Sequence, residues 1–185
     1  MAVATQSVRA AFRSLSGAIA GAGLLTLLYA PAFAAGTAAA KGQVSGLPVP
    51  RFVSLKADRV NVRTGPNKDQ DVRWVYTRAG MPVEITAEFE NWRRIRDWEG
   101  AEGWVYHSLL SGKRTAVVVP ALKHDLVPIY ESPDTASALV AKLQGGVLGA
   151  LESCSGSWCA FSGKGFEGWI RQERIWGAYP NEKVD

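Results

Sequence analysis

Cysteine and histidine are nearly absent from this chain: two of each, Cys154 and Cys159, His107 and His124, among 185 residues. The histidines lie far apart with no H-x3–5-H pair, and Cys-x4-Cys is a loose spacing for zinc, so no metal site is expected. Charge of one sign is also lacking. Acidic residues number 17 and basic ones 21, for a formal charge of +4, a surplus too small to imply a nucleic-acid partner. Beyond residue 34 no stretch sustains an amphipathic helical period over three turns, and no run is long enough to span a membrane. Residues 163–168 (GKGFEG) lack the strand–helix setting and the Lys-Ser/Thr ending of a phosphate loop. Carboxylates pair up only at turns, as Glu88 with Glu90 and Asp97 with Glu99. Neither a cofactor nor a catalytic constellation is expected.

The first 34 residues differ in kind from the rest. Arg9 and Arg13 stand without an acidic neighbour, Ala18 to Tyr29 is a mostly apolar run, and Pro31 precedes Ala32-Phe33-Ala34. A basic head, a short apolar core and an Ala-x-Ala exit describe a secretory signal peptide over residues 1–34, cleaved after Ala34. Its apolar run would make roughly 18 Å of helix, short of the ~30 Å hydrocarbon core. The alternative, an uncleaved anchor from Gly17 to Ala35, is opposed by its Gly and Pro residues. No twin arginine precedes the run and no cysteine follows it, which argues against the twin-arginine route and a lipid anchor. Cleavage would remove two arginines and leave a surplus of about two basic groups. In an exported chain an even cysteine count favours a disulfide over a free nucleophilic thiol. Cys154 and Cys159 flank the turn-like Ser155-Gly156-Ser157 and Trp158, and their short loop makes a bridge worth about 2 kcal/mol.

Residues 35–51 are rich in Ala, Gly, Ser and Pro and read as a flexible leader. From Phe52 onward short apolar or alternating runs are separated by Gly, Pro, Asn or Asp, the texture of a small all-β barrel or sandwich. Val83, Ile85 and Ala87 fall on one face of such a run. The chain also repeats itself. Pro66, Gly80, Trp92 and Gly103-Trp104 recur as Pro133, Gly146, Trp158 and Gly168-Trp169, with twelve residues from glycine to tryptophan in both halves. A period near 66 residues is a whole small domain used twice. The domains are expected over 52–115 and 117–177, with 178–185 as a tail. The short connection from Ala116 to Pro120 predicts that they pack together.

At these residues the sequence resembles the bacterial SH3 (SH3b) family, in its envelope branch with two copies behind a signal peptide. Carrying the resemblance are Asn61-Val62-Arg63-Thr64-Gly65-Pro66, Gly80-Met81-Pro82-Val83, residues 90–97 (ENWRRIRD) and Glu102-Gly103-Trp104-Val105, then Trp158-Cys159 and Gly168-Trp169-Ile170 in the second copy. The resemblance implies two tandem SH3-like β-barrels that target or dock rather than catalyse. Many relatives carry a cell-wall hydrolase; this sequence ends soon after Trp176, so binding alone is expected, in the periplasm. The resemblance does not name the ligand; the partner expected is cell-wall peptide or peptidoglycan, or alternatively an envelope protein. A small exported hydrolase is the third reading and requires a cleft with convergent titratable groups.

Aromatic rings are the leading candidates for a ligand groove. Trp92 and Ile95 fall on opposite faces of an alternating strand, Ile95 inward, which leaves Trp92 and Tyr106 for one patch, joined by Trp74 and Tyr76. The competing reading is that these rings fill and cover two small cores. Trp104, Trp158 and Trp169, with Gly103 and Gly168, are expected to be structural. Arg94, in the cluster Arg93, Arg94 and Arg96, could meet a ligand carboxylate. The alternative is a solvated strand face paired with Asp97, Glu99 and Glu102. Where the first copy has Tyr106 the second has Arg171, so the first is the better candidate for a groove.

Overall fold

The structure, a computed structural model, describes residues 40–185. The expected signal peptide lies outside the described residues. The regular elements are strands, apart from two single 3-10 turns, and no helix among the described residues is long and apolar enough to cross a membrane.

A small hairpin, β1 (Ala40–Lys41) with β2 (Pro48–Val49), precedes two larger sheets. The first contains β3 (Arg51–Leu55), β4 (Val60–Arg63), β5 (Val72–Tyr76), β6 (Pro82–Phe89), β7 (Trp92–Arg96), β8 (Glu102–Tyr106) and β9 (Leu110–Ser111). The second contains β10 (Thr115–Val118), β11 (Val127–Tyr130), β12 (Leu139–Leu143), β13 (Leu148–Ser155), β14 (Trp158–Gly163), β15 (Phe166–Arg171) and β16 (Ile175–Trp176). Strand order is β5-β4-β8-β7-β6-β3-β9 in one and β12-β11-β15-β14-β13-β10-β16 in the other, so the second repeats the first strand for strand.

The repetition extends to irregular positions. Pairing slips by one residue between Val62 and Arg63, and again between Ile129 and Tyr130. It slips once more at Thr86 in β6 and at Glu152 in β13. Such bulges bend a strand and let a short sheet curl around its own core. After each proline the loop is tied alike. Asn67 N–H donates to Gly65 O while the Asn67 side chain accepts from Asp69 N–H; Asp134 N–H donates to Ser132 O while its carboxylate accepts from Ala136 N–H.

The paired Gly-Trp motifs have a steric cause. A Cβ on Gly168 would lie 2.7 Å from Tyr130 O, and one on Gly103 3.0 Å from Arg63 O while colliding with Val62 Cγ1. Only glycine lets β8 and β15 close on β4 and β11, where Arg63 faces Trp104 and Tyr130 faces Trp169. Inward residues then form two cores. One gathers Leu55, Val60, Val62, Val83, Ile85, Ile95 and Val105; the other gathers Val127, Ile129, Leu151, Phe161, Ile170 and Ile175.

The barrels pack on each other. Thr115 Oγ1 donates to Gly80 O at 2.7 Å, and Leu148 of the second barrel covers the first core. Phe52 meets Trp176 edge-on at 5.1 Å between centroids and Tyr179 at 4.7 Å. The Tyr179 hydroxyl donates to Glu84 Oε1 at 2.8 Å; burial and that carboxylate push its pKa above the usual phenol range. Domains of this size bury only about 60% of their surface alone, so shared packing matters to both.

Three sequence expectations need correction. The stretch 35–51 read as a flexible leader is ordered from residue 40, because one carboxylate gathers it. Glu88 Oε2 accepts Ser45 N–H at 2.9 Å and Val44 N–H at 3.1 Å, while Oε1 accepts the Ser45 hydroxyl at 2.6 Å and Arg51 Nη2 at 2.9 Å. Burial works to raise the Glu88 pKa, but these donors outweigh it and hold the group at about 2. The 178–185 tail is likewise docked. Val184 is buried and bridges Cys154, and Arg114 reaches Glu182 at 2.7 Å. In addition Thr115, placed at the end of the first domain from sequence, begins the second sheet, paired with Ala150.

Candidate functional site

Strand β4 alternates: Val60 and Val62 are wholly buried, so Arg59, Asn61 and Arg63 turn outward. Next to β4 lies β8, which ends at Tyr106, and next to β8 lies β7, which begins at Trp92. Trp92 and Tyr106 are cross-strand partners with rings edge to face at 5.5 Å. The 3-10 turn His107–Leu109 contributes Leu109, and the β4–β5 loop brings Lys68 across. These residues line a cleft of about 330 Å³.

Its electrostatics are one-sided. Arg59, Arg63 and Lys68 line it and no carboxylate does; among the described residues none of the three is ion-paired. Arg63 is held by Nη1 donating to Gln70 O at 2.6 Å. Two guanidinium groups and an ammonium beside aromatic edges suit a planar anion such as a carboxylate, which guanidinium can bind with two parallel hydrogen bonds.

Of the five residues named from sequence as ligand-binding, the structure brings Trp92 and Tyr106 together and sends the other three elsewhere. Trp92 is only 8% exposed, so it forms wall rather than platform. Trp74 and Tyr76 pack edge to face at 6.1 Å against the first core, and Trp74 lies across the space a Gly103 side chain would need. The Tyr76 hydroxyl donates to Asp97 Oδ2 at 2.8 Å; burial, then that bond, pushes its pKa above the usual phenol range. Asp97 in turn accepts Glu99 and Ala101 N–H, so Tyr76 pins the β7–β8 turn. Arg94 is exposed, faces Trp104 and is ion-paired with Glu102, the solvated alternative weighed above. Its neighbour Arg96 pairs with buried Glu84. Arg59 and Arg63 were the residues missed. Their signal was the alternation with Val60 and Val62; Lys68 has no local signal because a loop carries it in.

The second barrel has a cleft at the same place, about 320 Å³, in which every lining position of the first except Trp92 has its counterpart. Leu126, Pro128, Tyr130 and Thr135 replace Arg59, Asn61, Arg63 and Lys68, and Arg171 replaces Tyr106. Asp125, Glu173 and Arg174 also reach it, Arg174 at the place of Leu109. Trp158, the counterpart of Trp92, does not line it. The Arg171 guanidinium lies over that ring at 4.5 Å and donates to Ser157 Oγ at 2.9 Å, and Tyr130 meets the ring edge-on. Trp104 and Trp169 are both half-buried on outer faces of their strands. Cys154 and Cys159 face each other across β13–β14 and are joined as a disulfide, so neither offers a thiolate to a metal or a substrate. Among the described residues no group of three or more His, Cys, Asp or Glu is placed to hold a metal ion.

Two solved structures, NlpC2 and NlpC1 from Trichomonas vaginalis, share 12% and 13% identity with the chain at TM-scores of 0.31 and 0.32. The matches cover 69% and 72% of this chain and 48% of each of theirs, so the chain spans about half the length of either, and the likeness bears on neither fold nor activity. No curated protein matches. The family model of the bacterial SH3 domain matches twice, over residues 56–112 and 123–177, one match to each seven-stranded sheet. With that double match on two sheets of identical strand order, the chain belongs to the bacterial SH3 domain family, as a tandem pair of SH3-like domains.

Proposed function

We propose that the chain is an exported, non-catalytic binding protein of the bacterial periplasm, and that its first barrel holds a carboxylate-bearing peptide of the cell wall. The observation that supports this reading is the cleft of Arg59, Arg63 and Lys68, unpaired with acid and walled by Trp92 and Tyr106. Family membership supports a binding module, and the signal-peptide pattern of residues 1–34 supports export. A rigid cleft with fixed cations binds by charge and shape and needs no covalent step. Purified sacculi test it. Wild type should co-sediment, and Arg59→Ala/Arg63→Ala/Lys68→Ala should weaken that by about tenfold or more, the scale of lost charge-assisted hydrogen bonds. Equal pelleting of both proteins would end the reading.

A second reading, docking of an envelope protein, has its own support. Trp98, Val119 and Leu126 are all partly exposed and line a cleft of about 600 Å³ beside the inter-barrel connection. Exposed apolar groups in one place favour a protein partner. A photocrosslinker at position 98 should then capture one defined periplasmic protein, and a smear or no adduct would dismiss this alternative.

A further inference from the structure

The two clefts occupy one place in a duplicated fold, with equal loops around them: eight residues separate β4 from β5 and eight separate β11 from β12. Position for position their chemistry has been exchanged. A tryptophan with one tyrosine and one arginine beside it occurs in both, but the arginine has changed strands: Arg63 on β4 and Tyr106 on β8 become Tyr130 on β11 and Arg171 on β15. On β4 the guanidinium is turned along the loop to Gln70 O, and Trp92 stays part of the cleft wall. On β15 it lies over Trp158, 4.5 Å from the ring centroid, and that ring is not part of the wall. The other two cations are gone, replaced by Leu126 and Thr135; Glu173 and Arg174 stand where Ser108 and Leu109 are in the first copy, with Arg174 Nε 3.6 Å from Glu173 Oε1.

Resting on the reading that the first cleft takes a carboxylate, we propose that anion recognition belongs to one copy only. The exchange of Arg59, Arg63 and Lys68 for Leu126, Tyr130 and Thr135, with Arg171 stacked on Trp158, decides which copy it is. The chain then holds one carboxylate ligand, not the two its symmetry would allow. The Arg171 guanidinium is held over the Trp158 ring with Nη1 donating to Ser157 Oγ, contacts that compete with a ligand for it. A carboxylate entering there would meet Glu173 and Asp125, a like-charge contact that disfavours it, and Arg174, the remaining cation, already has Glu173 beside it at 3.6 Å.

The test is a stoichiometry. Calorimetric titration of the full chain with acetyl-alanyl-glutamate, against its diamide as the uncharged control, should give one site for the dicarboxylate. Converting the second cleft to the first (Leu126→Arg, Tyr130→Arg, Thr135→Lys, Arg171→Tyr, Glu173→Ser, Arg174→Leu) should raise this to two, all six positions being exposed or half-buried. The converse variant, Arg59→Leu/Arg63→Tyr/Lys68→Thr, should abolish binding and needs no gain in the second barrel. Near-ultraviolet dichroism shows that each variant is folded. Two wild-type sites, or one that survives the converse variant, would overturn the assignment to the first barrel while leaving carboxylate binding intact. A folded six-fold variant that stays at one site would overturn the residue assignment. No wild-type heat with either probe would remove the carboxylate reading itself.

Discussion

At one cross-strand position the two barrels solve the same problem by different chemistry. In the first, Glu88 faces Arg93 across β6–β7, with Arg93 Nε 3.4 Å from the carboxylate. In the second, the equivalent pair across β13–β14 is Cys154 and Cys159, covalently joined. Each pair also anchors a terminal segment: Glu88 collects the β1–β2 hairpin, and Cys154 exchanges backbone hydrogen bonds with Val184. An ion pair answers to acid and a disulfide answers to reductant, so two near-identical scaffolds have different weak points. The demand common to both is backbone geometry, met by bulges and by Gly103 and Gly168. What lies on the outer wall is free to diverge, and there the clefts differ.

The comparison can be broken most forcefully in the cores. Phe161 occupies in the second what Ile95 occupies in the first, both essentially unexposed. Phe161→Ala should cost about 3–5 kcal/mol and Ile95→Ala about 2–5 kcal/mol. Because Phe52, Trp176 and Tyr179 join the barrels, urea unfolding of either variant should remain one coincident transition by fluorescence and dichroism. Two transitions, one at the wild-type midpoint, would show the barrels to be independent.

Smaller effects are expected at the closing glycines. Both Gly168→Ala and Gly103→Ala should destabilise, by about 1–3 kcal/mol, the scale of overpacking. Gly103 should suffer more, since its Cβ would collide with a methyl of wholly buried Val62 and also lie 3.0 Å from Arg63 O, whereas Gly168 meets the Tyr130 carbonyl alone at 2.7 Å. The reverse order of urea midpoints would deny that the two contacts differ in this way.

The disulfide comes next. Cys154→Ala/Cys159→Ala should cost about 2 kcal/mol, as the short loop dictates. Hydrogen exchange should quicken around Val184 and leave residues 42–47 unchanged. Acid should produce the mirror image with the smallest effect. The Glu88 pKa is depressed in the folded chain from 4.5 to about 2. Its contribution to stability is therefore complete above about pH 4.5 and is lost as pH falls toward 2. Amide exchange at Val44 and Ser45 should rise through that window in wild type and show no such step in Glu88→Gln. A pH-independent wild type would sink the carboxylate clamp.

Much of this was legible without coordinates. The inward positions Val60, Val62, Ile95 and Phe161 follow from alternation, and the Gly-Trp repeats mark where neighbouring strands must touch. The hairpin at 40–49 was not legible, because its order comes from a carboxylate more than forty residues away in sequence. Arg94 was named for the site from the cluster Arg93, Arg94 and Arg96, and Arg63 was not. In the folded chain β8 lies between β7 and β4, and that spatial order carries Arg63 to Tyr106 while Arg94 is taken by Glu102.

By itself the sequence determined a duplicated all-β chain with two small cores. Residue alternation and glycine spacing are local properties, and they repeat wherever the same backbone is needed. Only the tertiary structure decided which cations stand together, which aromatic rings line a cleft and which are covered. Those outcomes depend on strands far apart in the chain lying side by side, and on a competition between intramolecular partners that no spacing records.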